Sequence, residues 1–274
     1  MGLRVNTNLA SLTAQRNLGQ VSSRLAGNYR RLSSGLRISV AADDAAGLGI
    51  SERMRGQIRS LAQASRNAQD GVSLVQTAEG ALNEVNNSLV RMRELALQAA
   101  NGTLATADRT VIDTEFQALI LEIDRIATTT DFNGLPLLDG TNGSIDIQVG
   151  AGAGEVIEVG PVDTTIATLF AGATLDALSS TTANTALSAI DTAINSVTSV
   201  RGTLGATQNR LQTTIRSIDN ASENLSAAES RIRDVDVAKE TADLTRNTIL
   251  QQAAVSVLSQ ANSQPQIALS LLQG

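Results

Sequence analysis

The sequence predicts a mainly α protein: a long antiparallel helical bundle or coiled coil built from both chain ends, with a small β-hairpin region in the middle. Three observations predict it. Pro stands only at Pro136, Pro161 and Pro265, so long helices meet few breakers. One Tyr, three Phe and no Trp in 274 residues leave Ala, Ser, Thr, Asn and Gln to fill the space, which suits helices packed closely through small side chains. Apolar residues recur at three- and four-residue spacings toward both ends, whereas only the middle alternates with period two.

The first helix carries Leu18, Val21, Leu25, Leu32 and Leu36 on one stripe, with Tyr29 filling a place between them. "GLRISVAADDAAGLG" then reads as a loop feeding a new helix, with Asp43 or Asp44 as its N-cap. From about Ala45 to Ala100 there are two stripes: Met54, Ile58, Leu61, Ala68, Val72, Val75, Leu82, Leu89 and Ala96, and beside them Leu74, Ala78, Ala81, Val85, Met92, Leu95 and Ala99. Two stripes predict partners on two sides. Ile112, Phe116, Leu119, Ile123 and Ile126 mark a third helix, closing before "TTTDFNG". "SIDIQV" and "EVIEV" alternate around "GAGAG" and predict a β-hairpin. "STTANTA" is weakly patterned and reads as a surface loop.

The strongest periodicity comes last. Val200, Leu204, Thr207, Leu211, Thr214, Ile218, Ala221, Leu225, Ala228 and Ile232 form an unbroken coiled-coil seam, antiparallel or parallel. The charged joint "RIRDVDVAKE" follows, then a tail. The near-mirror order predicts that residues 1–42 and 235–274 fold together as one terminal-helix domain. Residues 43–234 then form a second, helical domain with a short β and loop segment at about 131–190.

Composition excludes several functions. A net charge of −6, with basic residues scattered among acids, offers no face for neutralising nucleic-acid phosphates. Without Cys or His the chain lacks thiol nucleophiles, disulfides and the commonest metal ligand. No apolar run reaches the ~18 residues that span a bilayer, so no membrane insertion is expected, and no cleaved signal peptide is apparent. "GAGAG" fails the dinucleotide pattern because Glu155 stands where the last Gly is needed. Paired acids such as Asp43 and Asp44 read as caps, so no catalysis, metal or cofactor is expected.

The tail raises a different question. "NTILQQAAVSVLSQANSQPQIALSLLQG", Asn247 to Gly274, has no charged side chain. Ile249, Leu250, Val255, Val257, Leu258, Leu269, Leu271 and Leu272 would each gain roughly 1.5–3 kcal/mol from full burial. A lone helix of this length is marginal in water. The tail therefore predicts partners, either other copies or a second chain, and disorder until they surround it.

Several long motifs carry a resemblance. "RLSSGLRISVAADDAAGLGISERMRGQIR", "RNAQDGVSLVQTAEGALNEV", "RMRELALQAANGT", "EIDRIATTTDFNGLPLLDG" and "AVSVLSQANSQPQIALSLL" resemble bacterial flagellin, over residues 1–140 and 190–274. The resemblance implies a short form without large outer domains: a structural subunit of the helical filament used for swimming, with its terminal helices as the inner core. The hook–filament junction proteins share the terminal pattern and are the nearest alternative; a secreted helical adhesin or enzyme scaffold is the alternative of another class. It implies export through the flagellar type III apparatus to the exterior, an export chaperone at the C-terminal helix, and cap and junction proteins as partners. Subunit-interface residues are expected at Leu18, Val21, Leu25, Arg37, Asp43, Asp44, Ile249, Leu250, Val255, Leu258, Leu269, Leu271 and Leu272, with Arg37, Asp43 and Asp44 forming paired charges. The resemblance also places contacts for the host Toll-like receptor that senses flagellins at Arg91, Leu95 and Glu115.

Overall fold

The Asn8 side chain starts the first helix by accepting the Ser11 N–H at 3.0 Å, the role short polar side chains play at N-caps. The computed structural model describes the backbone of residues 7–171 and 175–273, and side chains as far as residue 264. The helices are α1 (Leu9–Ser34), α2 (Ala45–Ala99), α3 (Thr106–Thr129), the short α4 (Ile166–Phe170), α5 (Ser180–Arg233) and α6 (Val237–Gln273). Between α3 and α4 lie two antiparallel hairpins, β1 (Asp131–Phe132) with β2 (Leu135–Pro136), and β3 (Ile145–Gln148) with β4 (Val156–Val159). The mainly α architecture with a small β region is as the sequence predicts.

The chain divides into two compact units, Met1–Gly56 with Asn224–Gly274, and Gln57–Glu223. The division falls inside α2 and α5 rather than at residues 42 and 235. Glu52 and Arg55 of α2 form ion pairs with Glu229 and Arg233 of α5, and this places both helix ends in the terminal unit.

In the middle unit, α2, α3, α5 and the β segment share one core. Ala64, Ala68, Gly71, Val75, Ala78, Leu82, Val85, Leu89, Met92, Ala96 and Ala99 are all buried, at alternating four- and three-residue steps. The two predicted stripes are thus neighbouring lines of one wide face, and both are covered within the chain. α2 and α5 run antiparallel: Arg93 pairs with Asp191 at 2.6 Å, Glu79 with Arg201 at 3.8 Å, and Ser65 donates to Asp219 at 3.4 Å. This settles the orientation that periodicity left open.

The "STTANTA" stretch is helix, not loop. Ala183, Ala186, Ile190, Ala193 and Val197 are buried on α5 and extend the 200–232 seam backward in the same rhythm. In the terminal unit, the backbones of α1 and α6 repeatedly come within 8 Å, with Ser11, Ala14, Ala254 and Ala261 among the residues between them. Tyr29 does not fill this seam; it is 56% exposed and Asn28 takes the buried place.

Candidate assembly interface

The terminal unit is built on two facing seams. On α1, Ser11, Ala14, Leu18, Val21, Leu25, Asn28 and Leu32 are buried or half-buried at alternating three- and four-residue steps. On α6, Glu240, Leu244, Asn247, Gln251, Ala254, Leu258 and Ala261 do the same. Leu18, Val21, Leu25 and Leu258 therefore pack within the chain. Hydrogen bonds join the seams along their length: Asn8 Nδ2 to the Ala261 carbonyl at 2.7 Å, Ser11 Oγ to Asn262 Oδ1 at 2.7 Å, Asn28 Nδ2 to Glu240 Oε1 at 2.6 Å, and Asn247 Nδ2 to Asn28 Oδ1 at 2.8 Å.

The segments after α1 and after α5 are fastened to each other. The Val235 N–H donates to the Gly35 carbonyl at 3.0 Å and the Arg37 N–H to the Arg233 carbonyl at 2.7 Å, forming a bridge at Leu36 and Asp234. The Arg37 guanidinium donates to the Ile232 carbonyl in the last turn of α5, where a cation is favoured by the helix dipole. Arg37 forms no ion pair with Asp43 or Asp44 within the chain. Asp43 lies 3.7 Å from Arg31 and accepts the Ser39 and Val40 N–H groups at 3.2 and 3.3 Å. The Ser39 N–H, more than Val40, the Ser39 hydroxyl or Arg31, holds the Asp43 carboxyl below the usual carboxylate range, against an opposing push from desolvation. Asp44 is the cap of α2, accepting the Gly47 N–H at 2.9 Å. Asp44 meets an N–H group that the start of α2 leaves unpaired, whereas Asp43 fastens the loop before it through the Ser39 and Val40 N–H groups.

Other parts of this unit are uncovered. On α6, Ile249 is 60% exposed, Leu250 43%, Val255 52% and Val257 58%, and on α1 Leu9 and Leu12 are exposed too. Leu269, Leu271 and Leu272 lie outside the residues whose side chains are described.

In the middle unit, Arg91 of α2 pairs with Glu115 of α3 at 2.8 Å and with Glu94 at 3.0 Å. Glu115 first, then Glu94, raises the Arg91 guanidinium above its ordinary value. Leu95 is only 3% exposed. Its side chain belongs to the seam of α2. The same unit carries an open groove of about 510 Å³ between α2, α5 and the β3–β4 tip, whose one ionisable wall residue is Glu155. A single carboxylate provides no acid–base pair.

The bacterial flagellin N-terminal helical region matches residues 5–143, and the bacterial flagellin C-terminal helical region matches residues 187–272. The chain belongs to the flagellin family. It is 52% identical to a flagellin of Halalkalibacterium halodurans over 98% of this chain and 99% of that protein. It is 42% identical to the flagellar filament 33 kDa core protein of Treponema phagedenis over 98% of this chain and 99% of that protein. A crystal structure of Bacillus cereus flagellin superposes with a TM-score of 0.52 at 37% identity, covering 60% of this chain and 94% of that one. The chain is thus a structural subunit of the flagellar filament, an extracellular assembly. These likenesses do not favour the junction-protein alternative.

The sequence reading missed Asn28, Arg31, Glu240 and Asn247, which hold the two ends together. A signal was present: Asn28 stands between Leu25 and Leu32 at the three-and-four rhythm, and Asn247 between Leu244 and Gln251.

Proposed function

We propose that copies of this chain polymerise through the terminal unit, with the uncovered apolar side chains of α6 and α1 as the surface that neighbouring copies bury. One observation carries the reading: Ile249, Leu250, Val255 and Val257 stay 43–60% exposed on a helix segment with no charge to keep it soluble. Such side chains gain about 1.5–3 kcal/mol each when buried. Charge at the same positions would cost several kcal/mol once neighbours excluded water. Ile249, Leu250 and Val255 are interface residues in this reading. Leu18, Val21, Leu25 and Leu258 support the interface by seating α1 on α6. Arg37, Asp43 and Asp44 support it by fixing the segment between α1 and α2. Leu269, Leu271 and Leu272 continue the apolar pattern in sequence.

The partners beyond other copies follow from the same surface. Before assembly the exposed stripe is an aggregation hazard, which calls for an export chaperone on the C-terminal helix. Export runs through the flagellar type III apparatus to the exterior, where cap and junction proteins bound the growing filament. The Toll-like receptor that senses flagellins contacts Arg91 and Glu115, whose paired side chains stand about half exposed beside one another. The test is negative-stain microscopy of the purified chain after salt-induced, seeded polymerisation. Filaments are expected; soluble monomer or amorphous aggregate under every condition would overturn the reading.

A further inference from the structure

The seam between α1 and α6 is a poor code for its own alignment. Four of its fourteen places are Ser11, Ala14, Ala254 and Ala261, which distinguish one placement from another only weakly, and Gln251 adds a polar one. Leu18, Val21, Leu25 and Leu32 recur at three, four and seven residues, so a shift of α6 by one heptad again sets apolar against apolar. The distinctive places are polar and buried: Asn28 7%, Glu240 7% and Asn247 9% exposed. They are wired in series. Asn28 spends its N–H on Glu240 and its carbonyl oxygen on the Asn247 N–H, so both ends of one amide are used. Arg31 stands 3.9 Å from Glu240 on the far side.

We propose that Asn28, Asn247 and Glu240 are specificity-determining residues for the pairing of the chain's two ends: they admit one placement of α6 on α1 and reject the slipped ones. With Ser11 against Asn262, the network closes. Sliding α6 so that Ser11 meets Val255 carries Asn247 to the level of Leu18 and Val21, where its amide finds no polar side chain. Sliding it the other way carries Glu240 past Ser34, the last residue of α1, away from Asn28 and Arg31. Either slip leaves Asn28 without one of its two bonds, and a buried unpaired amide is disfavoured far more than a paired one is favoured. Buried polar residues at seam positions select register in this way at some cost in stability. The bridge at Leu36 and Asp234 joins the segments beyond the helices, but it does not read the seam. A single alignment matters because it decides which side chains of α1 and α6 are presented together on the surface that neighbours cover. The inference rests on the filament reading for the state in which it is measured.

The chain has no Cys, so introduced pairs report alignment directly. Ser11→Cys with Asn262→Cys reads the observed placement, and Ser11→Cys with Val255→Cys reads the slipped one. Each pair is made in the otherwise native chain and in one also carrying Asn28→Leu and Asn247→Leu, polymerised under reducing conditions, then oxidised and run on non-reducing gels. In the native seam only the first pair should close. In the Leu seam the slipped pair should close as well, reaching at least about a tenth of the chains, while the helical signal melts at a higher temperature than in the native seam. A residue that merely filled space would give the opposite melting shift and no slipped product. Asn28→Leu alone strands Asn247 and should lower filament yield about tenfold, with recovery on adding Asn247→Leu. Closure of the first pair alone in the Leu seam would overturn the inference, since alignment would then be set elsewhere. Failure of the reduced Ser11→Cys, Asn262→Cys chain to form any filament would instead count against the filament reading.

Discussion

Ile147 of β3 is seated directly on Gly71 of α2, so closely that a methyl group on Gly71 would overlap the Ile147 side chain. Gly71 lies in the buried line of α2, and Asn67, one turn earlier, donates to the Gln148 carbonyl at 3.0 Å. This close approach and hydrogen bond thus dock the hairpin on α2, beside the shared core that buries Val149, Ile157 and Val159. Gly71→Val should unseat it at about 1–3 kcal/mol, the usual cost of overpacking a filled site. Thermal unfolding of the isolated middle region by circular dichroism, compared with Gly71→Ala, checks this; equal stability of Gly71→Val and the parent would refute it.

Arg37→Glu places a carboxylate against the last carbonyls of α5 in place of the guanidinium that Ile232 now binds. A like-signed charge at a helix C-terminus costs on the order of 0.3–1 kcal/mol, and the lost hydrogen bond adds to it. Filament yield should fall sharply in sedimentation assays. The helical signal of residues 45–130 should stay unchanged, because none of their core contacts involves Arg37.

Acid should loosen the terminal unit. Asp43 is held below its ordinary value chiefly by the Ser39 N–H, and Glu52 chiefly by Arg233 at 2.7 Å. A depressed carboxyl contributes stability that is present above its unfolded value and lost as pH falls through its folded one. Filaments should therefore hold at neutral pH and dissociate below about pH 4, as followed by light scattering. Asp43→Asn should flatten that acid response; an unchanged profile would remove Asp43 from it.

Arg91→Ala and Leu95→Ala separate recognition from packing. Leu95 is buried, so its truncation should cost about 2–5 kcal/mol. Arg91 is a surface partner of Glu115, and its loss should leave the melting temperature nearly unchanged. In a reporter-cell assay on monomeric protein, Arg91→Ala should lower the receptor response while the fold persists. A response equal to the parent's would release Arg91 from the contact.

Removing Asn247–Gly274 takes away Ala261 and Asn247 from the seam, along with the exposed Ile249, Leu250, Val255 and Val257. The truncated chain should remain soluble and helical, because the core of α2, α3 and α5 does not use the tail. It should form no filaments under the microscope and retain no chaperone in a pull-down. Normal filaments would assign the uncharged tail another cause.

How much was legible depended on contrast between neighbouring side chains. α2, α3 and the later part of α5 could be read because Leu, Val, Ile and Phe stand out at helical spacing. The first turns of α5 could not, since Ala183, Ala186 and Ala193 bury methyl groups that look no different from the Ser, Thr and Ala around them. The β1–β2 hairpin is too short for any period, although Asn133-Gly134, both at positive φ, is the turn pair such hairpins require. Leu95 carries two signals. Its place on the α2 stripe predicted burial, which the packing enforces, and the resemblance put it in a receptor contact. At Asn28 and Asn247 the rhythm was intact but the residue type was polar, so a search for apolar side chains passed over them.

The single Tyr of the chain, Tyr29, stands largely open to water on α1, one residue from the Asn28 amide, and no Trp is present. This makes the protein nearly transparent in the near ultraviolet, where, beyond the weak bands of three Phe, its absorbance and emission arise from one ring on one helix. Whatever comes to lie over that ring as copies gather will change its emission and its access to a soluble quencher. The growth of a filament can thus be timed from inside the terminal unit, without a dye or a label, by a chromophore whose address is already known.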